Sequence, residues 1–198
     1  MDNNFKNLKS GNASKVKVLK ERYQNYKFHV KQPILDIGGA NGDFLEFQGI
    51  KDATIIDLSV PEYPKFNFKY IKADVSKELP EIKKKYRTIF ITEVLEHVKN
   101  PLYLLSQAYN LLENDGICYI SIPYTEIGPD HHHVCRWTQK EILDQTKKLG
   151  FIPKVIQKRR RFMGLAFFLP HCWLVLALKK RSNNRGGDHR VIKPHIVV

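Results

Sequence analysis

Cysteine is scarce in this chain: three residues among 198 (Cys118, Cys135 and Cys172), none of them in a CxxC pair. That excludes a disulfide-stapled scaffold and a zinc ribbon. The opening MDNNFKNLKS has no apolar stretch, so a secretory leader is not expected and a reduced, cytoplasmic setting is. No internal repeat is present. Nor does any apolar run reach the roughly 20 residues a membrane helix needs. The longest, 162–178, has 17 residues, carries Pro170 and His171 near its middle and is bracketed by basic residues. A loop followed by a final strand at 172–178 is the expectation there, and no transmembrane span.

Negative charge is short at both ends. Residues 1–31 hold eight basic and two acidic side chains, and residues 151–198 hold eleven and one, whereas 32–150 hold fourteen and seventeen. The net charge of +13 therefore sits on the flanks of a near-neutral middle. Such flanks can meet phosphate, an anionic membrane or an anionic substrate, or can be plain solvated surface.

What is present is a globular chain with 42% apolar residues, long enough for one substantial core. Between Asn12 and Phe28 the apolar positions Val16, Leu19, Tyr23 and Tyr26 recur at helical spacing. Short apolar runs follow at 33–37, 53–56, 68–71, 88–91, 117–122 and 151–156. Most are continuous rather than alternating, as in strands buried on both faces. Helical stretches separate several of them. One starts at Pro101 behind an Asn100 cap, with Leu102, Leu105, Ala108 and Leu112 on one side; another starts with a Thr138/Glu141 capping box and ends at Gly150. The expected fold is α/β, with a doubly wound, mostly parallel sheet. The expected organisation is a basic helical segment over 1–30, one domain over 31–181, and a mobile basic tail over 182–198.

In such a sheet ligands bind outside the carboxyl ends of the strands. The first strand runs into Asp36-Ile37-Gly38-Gly39-Ala40-Asn41-Gly42-Asp43. Glycines there let backbone approach a ligand at the next helix N-terminus. A dinucleotide fingerprint would need glycine at 38, 40 and 43, but 40 is Ala and 43 is Asp. A pyrophosphate beside Asp36 and Asp43 would also meet like charge. A cationic cofactor would be favoured instead. Asp57 closes the second strand, where a carboxylate can accept ribose hydroxyls; Asp74 and Val75 follow the third, and Thr92 and Glu93 end the fourth. Singly, each acid is an ordinary turn residue. In order, at successive strand ends, they form a pattern.

On these residues the chain resembles the class I S-adenosylmethionine-dependent methyltransferases, from about Pro33 to Phe151, with Ala40 in place of the usual middle glycine. It is similar to the subgroup with Glu-Val-Leu-Glu-His after strand four (93–97), Ile-Pro ending strand five (122–123), and a His-rich loop leading into a Trp-Thr helix start (131–138). The resemblance implies a seven-stranded sheet with an antiparallel last strand and S-adenosylmethionine as cofactor. It implies Asp36, Gly38 and Ala40 near the methionine part, Asp57 at the ribose, Asp74 and Val75 at the adenine, and Thr92 beneath the sulfonium. Gly39, Leu58 and Glu93 complete the expected cofactor set.

A hydroxyl acceptor would need a base, and histidine suits neutral pH. His97, His131, His132 and His133 are candidates, with His97 and His132 taken as catalytic. The plainer reading makes His97 a helix start and 131–133 a polar loop. Glu93, Glu96 and His97, at i, i+3 and i+4, would share one helix face, where a histidine from 131–133 could complete a metal site. Similar residues occur in metal-dependent RNA 2′-O-methyltransferases, yet the motif is also found without metal, and no metal is expected. The expected activity is methylation of a small-molecule acceptor at oxygen or nitrogen. Rival readings are an RNA 2′-O-methyltransferase, a non-catalytic S-adenosylmethionine-binding protein, and a membrane-surface enzyme held by 162–169.

Overall fold

The computed structural model describes residues 17, 19, 20, 22, 23, 28–64, 66–123, 133–161 and 171–180. Residues 1–10, 162–170, where a loop was expected, and 182–198, where a mobile tail was expected, therefore lie outside the described residues. The strands are β1 (Ile34–Ile37), β2 (Asp52–Asp57), β3 (Asn67–Lys72), β4 (Tyr86–Thr92), β5 (Leu112–Pro123), β6 (Phe151–Arg161) and β7 (His171–Lys180). They form one sheet in the order β3-β2-β1-β4-β5-β7-β6. The pairs β1–β2, β1–β4, β2–β3 and β4–β5 are parallel, and β7 runs antiparallel to both β5 and β6. This is the expected seven-stranded sheet with its antiparallel last strand. The order reverses between β1 and β4, which opens the crevice at their carboxyl ends.

The continuous apolar runs follow from two covered faces. Leu35, Ile37, Ile89, Ile91, Ile120, Leu174 and Leu176 belong to one buried cluster. Their strand neighbours Ile34, Phe90, Tyr119 and Val175 belong to the other, with Tyr23, Phe28 and Phe44. The period-2 alternation of a strand sends successive residues to opposite faces, so both sets must be apolar. Phe28, Phe44, Phe90 and Tyr119 meet mostly edge to face at centroid distances of 4.9–5.6 Å.

Helix α1 (Asp43–Phe47) is only five residues long. Helix α2 (Pro101–Leu111) starts where expected: the Asn100 side chain accepts from the Tyr103 amide at 3.2 Å. Its buried side is Leu104, Leu105, Ala108 and Leu111, while Leu102 is half-buried and Leu112 already opens β5. Strand β5 begins five residues before the expected position because Leu112 pairs with Tyr86, ahead of a register shift. Helix α3 (Gln139–Lys148) has the full capping box between Thr138 and Glu141. Among the described residues, no helix is long and apolar enough to cross a membrane.

Candidate functional site

The glycine turn after β1 brings three strand ends together. Gly38 has φ +76°, and a Cβ there would run into Val94 in the turn after β4, so glycine allows the two turns to touch. At Gly39 a Cβ would lie 2.5 Å from Asp36 Oδ2. Asp36 itself is fully buried, and among the described residues neither carboxyl oxygen has a hydrogen-bond partner. Burial, with the nearby Asp57 charge as a second cause, pushes its carboxyl up to about 8. A buried acid with no donor facing it is unfavourable in the empty fold. It is the environment that a cationic, hydrogen-bond-donating ligand would relieve. The fit with the cationic amino-acid part of S-adenosylmethionine rests on that orphaned carboxyl and on the space left by Gly39.

Ala40 adopts φ +46°, the left-handed region that an L side chain occupies at a cost of about 1–2 kcal/mol. Its amide donates to Asp57 Oδ2 at 2.9 Å. The other oxygen, Oδ1, accepts from the Ser59 amide at 2.9 Å and its hydroxyl at 3.1 Å. Asp57 therefore braces the turn from the end of β2, and three of its roughly four acceptor directions are in use. Asp74 likewise accepts from the Ser76 amide and hydroxyl, at 3.0 and 2.6 Å, and these bonds hold its carboxyl below the ordinary range. Val75 and Thr92 are half-buried, and Leu58 is 63% exposed. All of these positions lie at or just past the carboxyl ends of β1 to β4, which are adjacent in the sheet.

Glu93 departs from the expected geometry. It is not on a helix: it has φ +56°, and the helical turn that follows is a single 3₁₀ turn, Leu95–His97. Its side chain faces β5 and the N-terminal helical segment. Ser121 Oγ donates to Glu93 Oε1 at 2.6 Å, and Arg22 pairs with Oε2 at 2.7 Å. The Tyr23 hydroxyl lies 2.7 Å from Ser121 Oγ. Because the serine proton goes to Glu93, the tyrosine proton goes to the serine. Burial first, then the Glu93 charge, pushes the Tyr23 phenol well above its ordinary range. Sequence reasoning did not place Arg22, Tyr23 or Ser121 at the site, since the links of Ser121 to Glu93 and Tyr23 span 28 and 98 positions of chain. A polar serine inside the apolar run 117–122 was the available signal.

The helix face weighed for Glu93, Glu96 and His97 does not form, because Glu93 turns to Ser121 and Arg22. Glu96, His97 and His133 bring one ligand atom each within 4.8 Å of one another. The two imidazole centroids are 4.8 Å apart, and His97 Nε2 is 4.0 Å from Glu96 Oε1. The Glu96 carbonyl accepts from the amides of Val134 and Cys135, which pins this loop to the turn after β4. Glu96 is buried and His97 exposed. His131 and His132 lie outside the described residues.

A mostly parallel sheet reversing at β1/β4, a glycine turn and an antiparallel final strand define the Rossmann-like fold of the class I methyltransferases. The chain belongs to the methyltransferase-domain family, whose pattern matches residues 13–157. Among solved structures it is similar to a SAM-dependent methyltransferase from Archaeoglobus fulgidus (20% identity, TM-score 0.60, covering 84% of this chain and 94% of that one). It is also similar to the Burkholderia thailandensis 1,6-didemethyltoxoflavin-N1-methyltransferase with bound S-adenosylhomocysteine (20%, 0.55, 87% and 79%). A third is the magnesium protoporphyrin IX methyltransferase of Synechocystis with bound SAH (14%, 0.53, 84% and 80%). At these identities the likeness is one of fold. No curated protein matches the chain by sequence.

Proposed function

We propose that the protein methylates a small-molecule acceptor at oxygen or nitrogen, using S-adenosylmethionine and a single domain over 31–181. The observation that supports this most is the buried, donor-starved Asp36 carboxyl beneath the glycine turn. It favours a ligand that brings positive charge and hydrogen-bond donors, and once ionised, toward pH 8 and above, it disfavours a pyrophosphate at the same place. Gly38, Gly39 and Ala40 would hold the methionine part, Asp57 with Leu58 the ribose, and Asp74 with Val75 the adenine. Thr92 and Glu93 would line the floor where β4 ends. When bound, the cofactor supplies an electrophilic methyl group on a sulfonium. The chain's own task is then alignment of the acceptor in line with that methyl. His97, half exposed beside His133, would take the acceptor's proton, and His132 is the second candidate base.

The test is incubation of the full chain with cofactor labelled in the methyl group and a cell metabolite extract, with and without ribonuclease. Label in a small molecule, unaffected by ribonuclease, is the expected result. Label in a ribonuclease-sensitive fraction would move the assignment to RNA.

A further inference from the structure

The cofactor reading leaves one buried polar network without a role, and that network lies where two turns meet. Among the described residues other than glycine, four have a left-handed backbone: Ala40, Phe66, Glu93 and Asp115. Ala40 and Glu93 stand in the turns after β1 and β4, on the two sides of the crevice where the sheet order reverses. An L residue persists in such a conformation where its surroundings impose it, and residues of this kind gather at working sites.

The constraint differs on the two sides. Ala40 is held by Asp57, from the end of β2. Glu93 is held from β5 and from the N-terminal helical segment. Its amide donates to the Ser121 carbonyl and to Ser121 Oγ, at 3.1 and 3.2 Å, and Ser121 Oγ donates back to Glu93 Oε1 at 2.6 Å. The Tyr23 hydroxyl donates to the same serine oxygen, so that the one donor and both acceptor directions of the serine are in use. Arg22 pairs with the second carboxyl oxygen of Glu93. Tyr23 and Ser121 are buried, and the Arg22 side chain is about three-quarters covered.

The effect of this clamp reaches the cofactor turn. The residue after Glu93 is Val94, which is buried and fills the space that a Cβ at Gly38 would need. Gly38 and Val94 are where the two turns touch, so a change of Glu93 out of its left-handed conformation would lift Val94 from Gly38.

The plain explanation to be weighed is that Arg22 and Tyr23 merely dock the N-terminal segment on the sheet. Packing suffices for that: the Tyr23 ring meets Phe28 and Phe44 at centroid distances of 6.1 and 5.1 Å. Docking does not call for an ion pair and a serine relay that converge on the amide and both carboxyl oxygens of one strained residue.

We infer that Arg22, Tyr23 and Ser121 are positioning residues for the cofactor site: acting through Glu93, they lock the turn after β4 against Gly38 and so shape the floor beneath the methionine part. This deepens the methyltransferase reading and rests on it. Glu93 anchors the turn, with both of its carboxyl oxygens engaged. The N-terminal helical segment is thereby a working part of the site.

The test is calorimetric titration of the full chain and its variants with S-adenosylhomocysteine, at a temperature where circular dichroism shows each protein folded. R22Q and S121A are each expected to weaken affinity at least fivefold, the lower end of ordinary coupling between sites. F28L, which trims a ring of the same aromatic cluster and removes no polar group, should stay within about twofold. An equal loss in F28L would reduce the network to packing and overturn the inference. R22Q, a change on a partly exposed side chain, decides the matter where S121A does not fold. A cycle of R22Q, E93Q and the double variant separates positioning from direct contact: because Arg22 acts through Glu93, the double variant should bind within about twofold of E93Q alone. Losses that multiply would place Arg22 on the cofactor itself and overturn its positioning role. Unchanged affinity in R22Q and S121A would overturn the inference alone, whereas failure of the parent chain to bind S-adenosylhomocysteine would overturn the cofactor reading and the inference with it.

Discussion

Replacing Asp36 by Asn should make the protein more stable, and increasingly so as the pH rises. In the fold this carboxyl titrates near 8, against an ordinary value of 3.8, because it is buried without a donor and lies near Asp57. Below about pH 4 the carboxyl is protonated in both folded and unfolded chains and carries no penalty. Between 4 and 8 the unfolded chain ionises while the folded chain holds the proton, so stability is lost progressively as pH rises through that window. Past pH 8 the full cost is reached. At 1.36 kcal/mol per pH unit it is on the order of 6 kcal/mol, an upper bound. The carboxamide of the Asp36→Asn protein has the same size and no charge to lose. Urea unfolding of both proteins at pH 5, 7 and 9 reads the difference. Even a third of the bound, about 2 kcal/mol, displaces a urea midpoint by roughly 1 M when m is near 2 kcal/mol/M. The gap should be small at pH 5 and largest at pH 9. Midpoints that run parallel across this range would refute the reasoning, and a less stable variant at pH 9 would mean that Asp36 is satisfied in the fold.

Asp57→Ala should weaken S-adenosylhomocysteine binding at least tenfold by calorimetry, since each hydrogen bond to a charged group is worth about 1.5–3 kcal/mol and the Ala40 amide also loses its acceptor. An unchanged affinity would make Asp57 a turn residue only. Tyr23→Phe should lower unfolding stability by about 1–2 kcal/mol, because the buried Ser121 hydroxyl loses its donor while the ring packing is kept. Thermal or urea unfolding indistinguishable from the parent would detach Tyr23 from this network. His97→Ala should slow turnover by roughly 10²–10⁴-fold with near-normal cofactor binding, and activity should survive exhaustive chelation. Chelator-sensitive activity restored by magnesium, manganese or zinc would place an ion among Glu96, His97 and His133.

The features legible in the sequence were those encoded within a few residues. The Asn100 cap, the Thr138/Glu141 capping box and the doubly buried strands are local signals, and each corresponds to an element. The acids at successive strand ends also come together, because a parallel sheet aligns those ends without further instruction. What eluded sequence reading was long-range or broke periodicity. The spacing of Glu93, Glu96 and His97 fits a helix face, but Glu93 takes a positive φ and only one 3₁₀ turn follows, so the helical assumption fails at its first residue. The tie from Arg22 and Tyr23 to Glu93 and Ser121 is invisible to any window of local sequence. So is the overhang of β6: the apolar pattern ends at Ile156, whereas pairing with β7 carries the strand to Arg161.

The most direct test of the central claim is a paired calorimetric titration of the full chain with S-adenosylhomocysteine and with NAD⁺. Asp36 and Asp43 occupy ground that a pyrophosphate would need, and the Asp36 carboxyl lacks a donor that the cofactor's ammonium can supply. Measurable binding of S-adenosylhomocysteine, tightening from pH 6 to pH 8 as Asp36 gives up its proton, with no binding of NAD⁺, is the predicted result. Comparable affinity for both ligands, or binding of NAD⁺ alone, would contradict it.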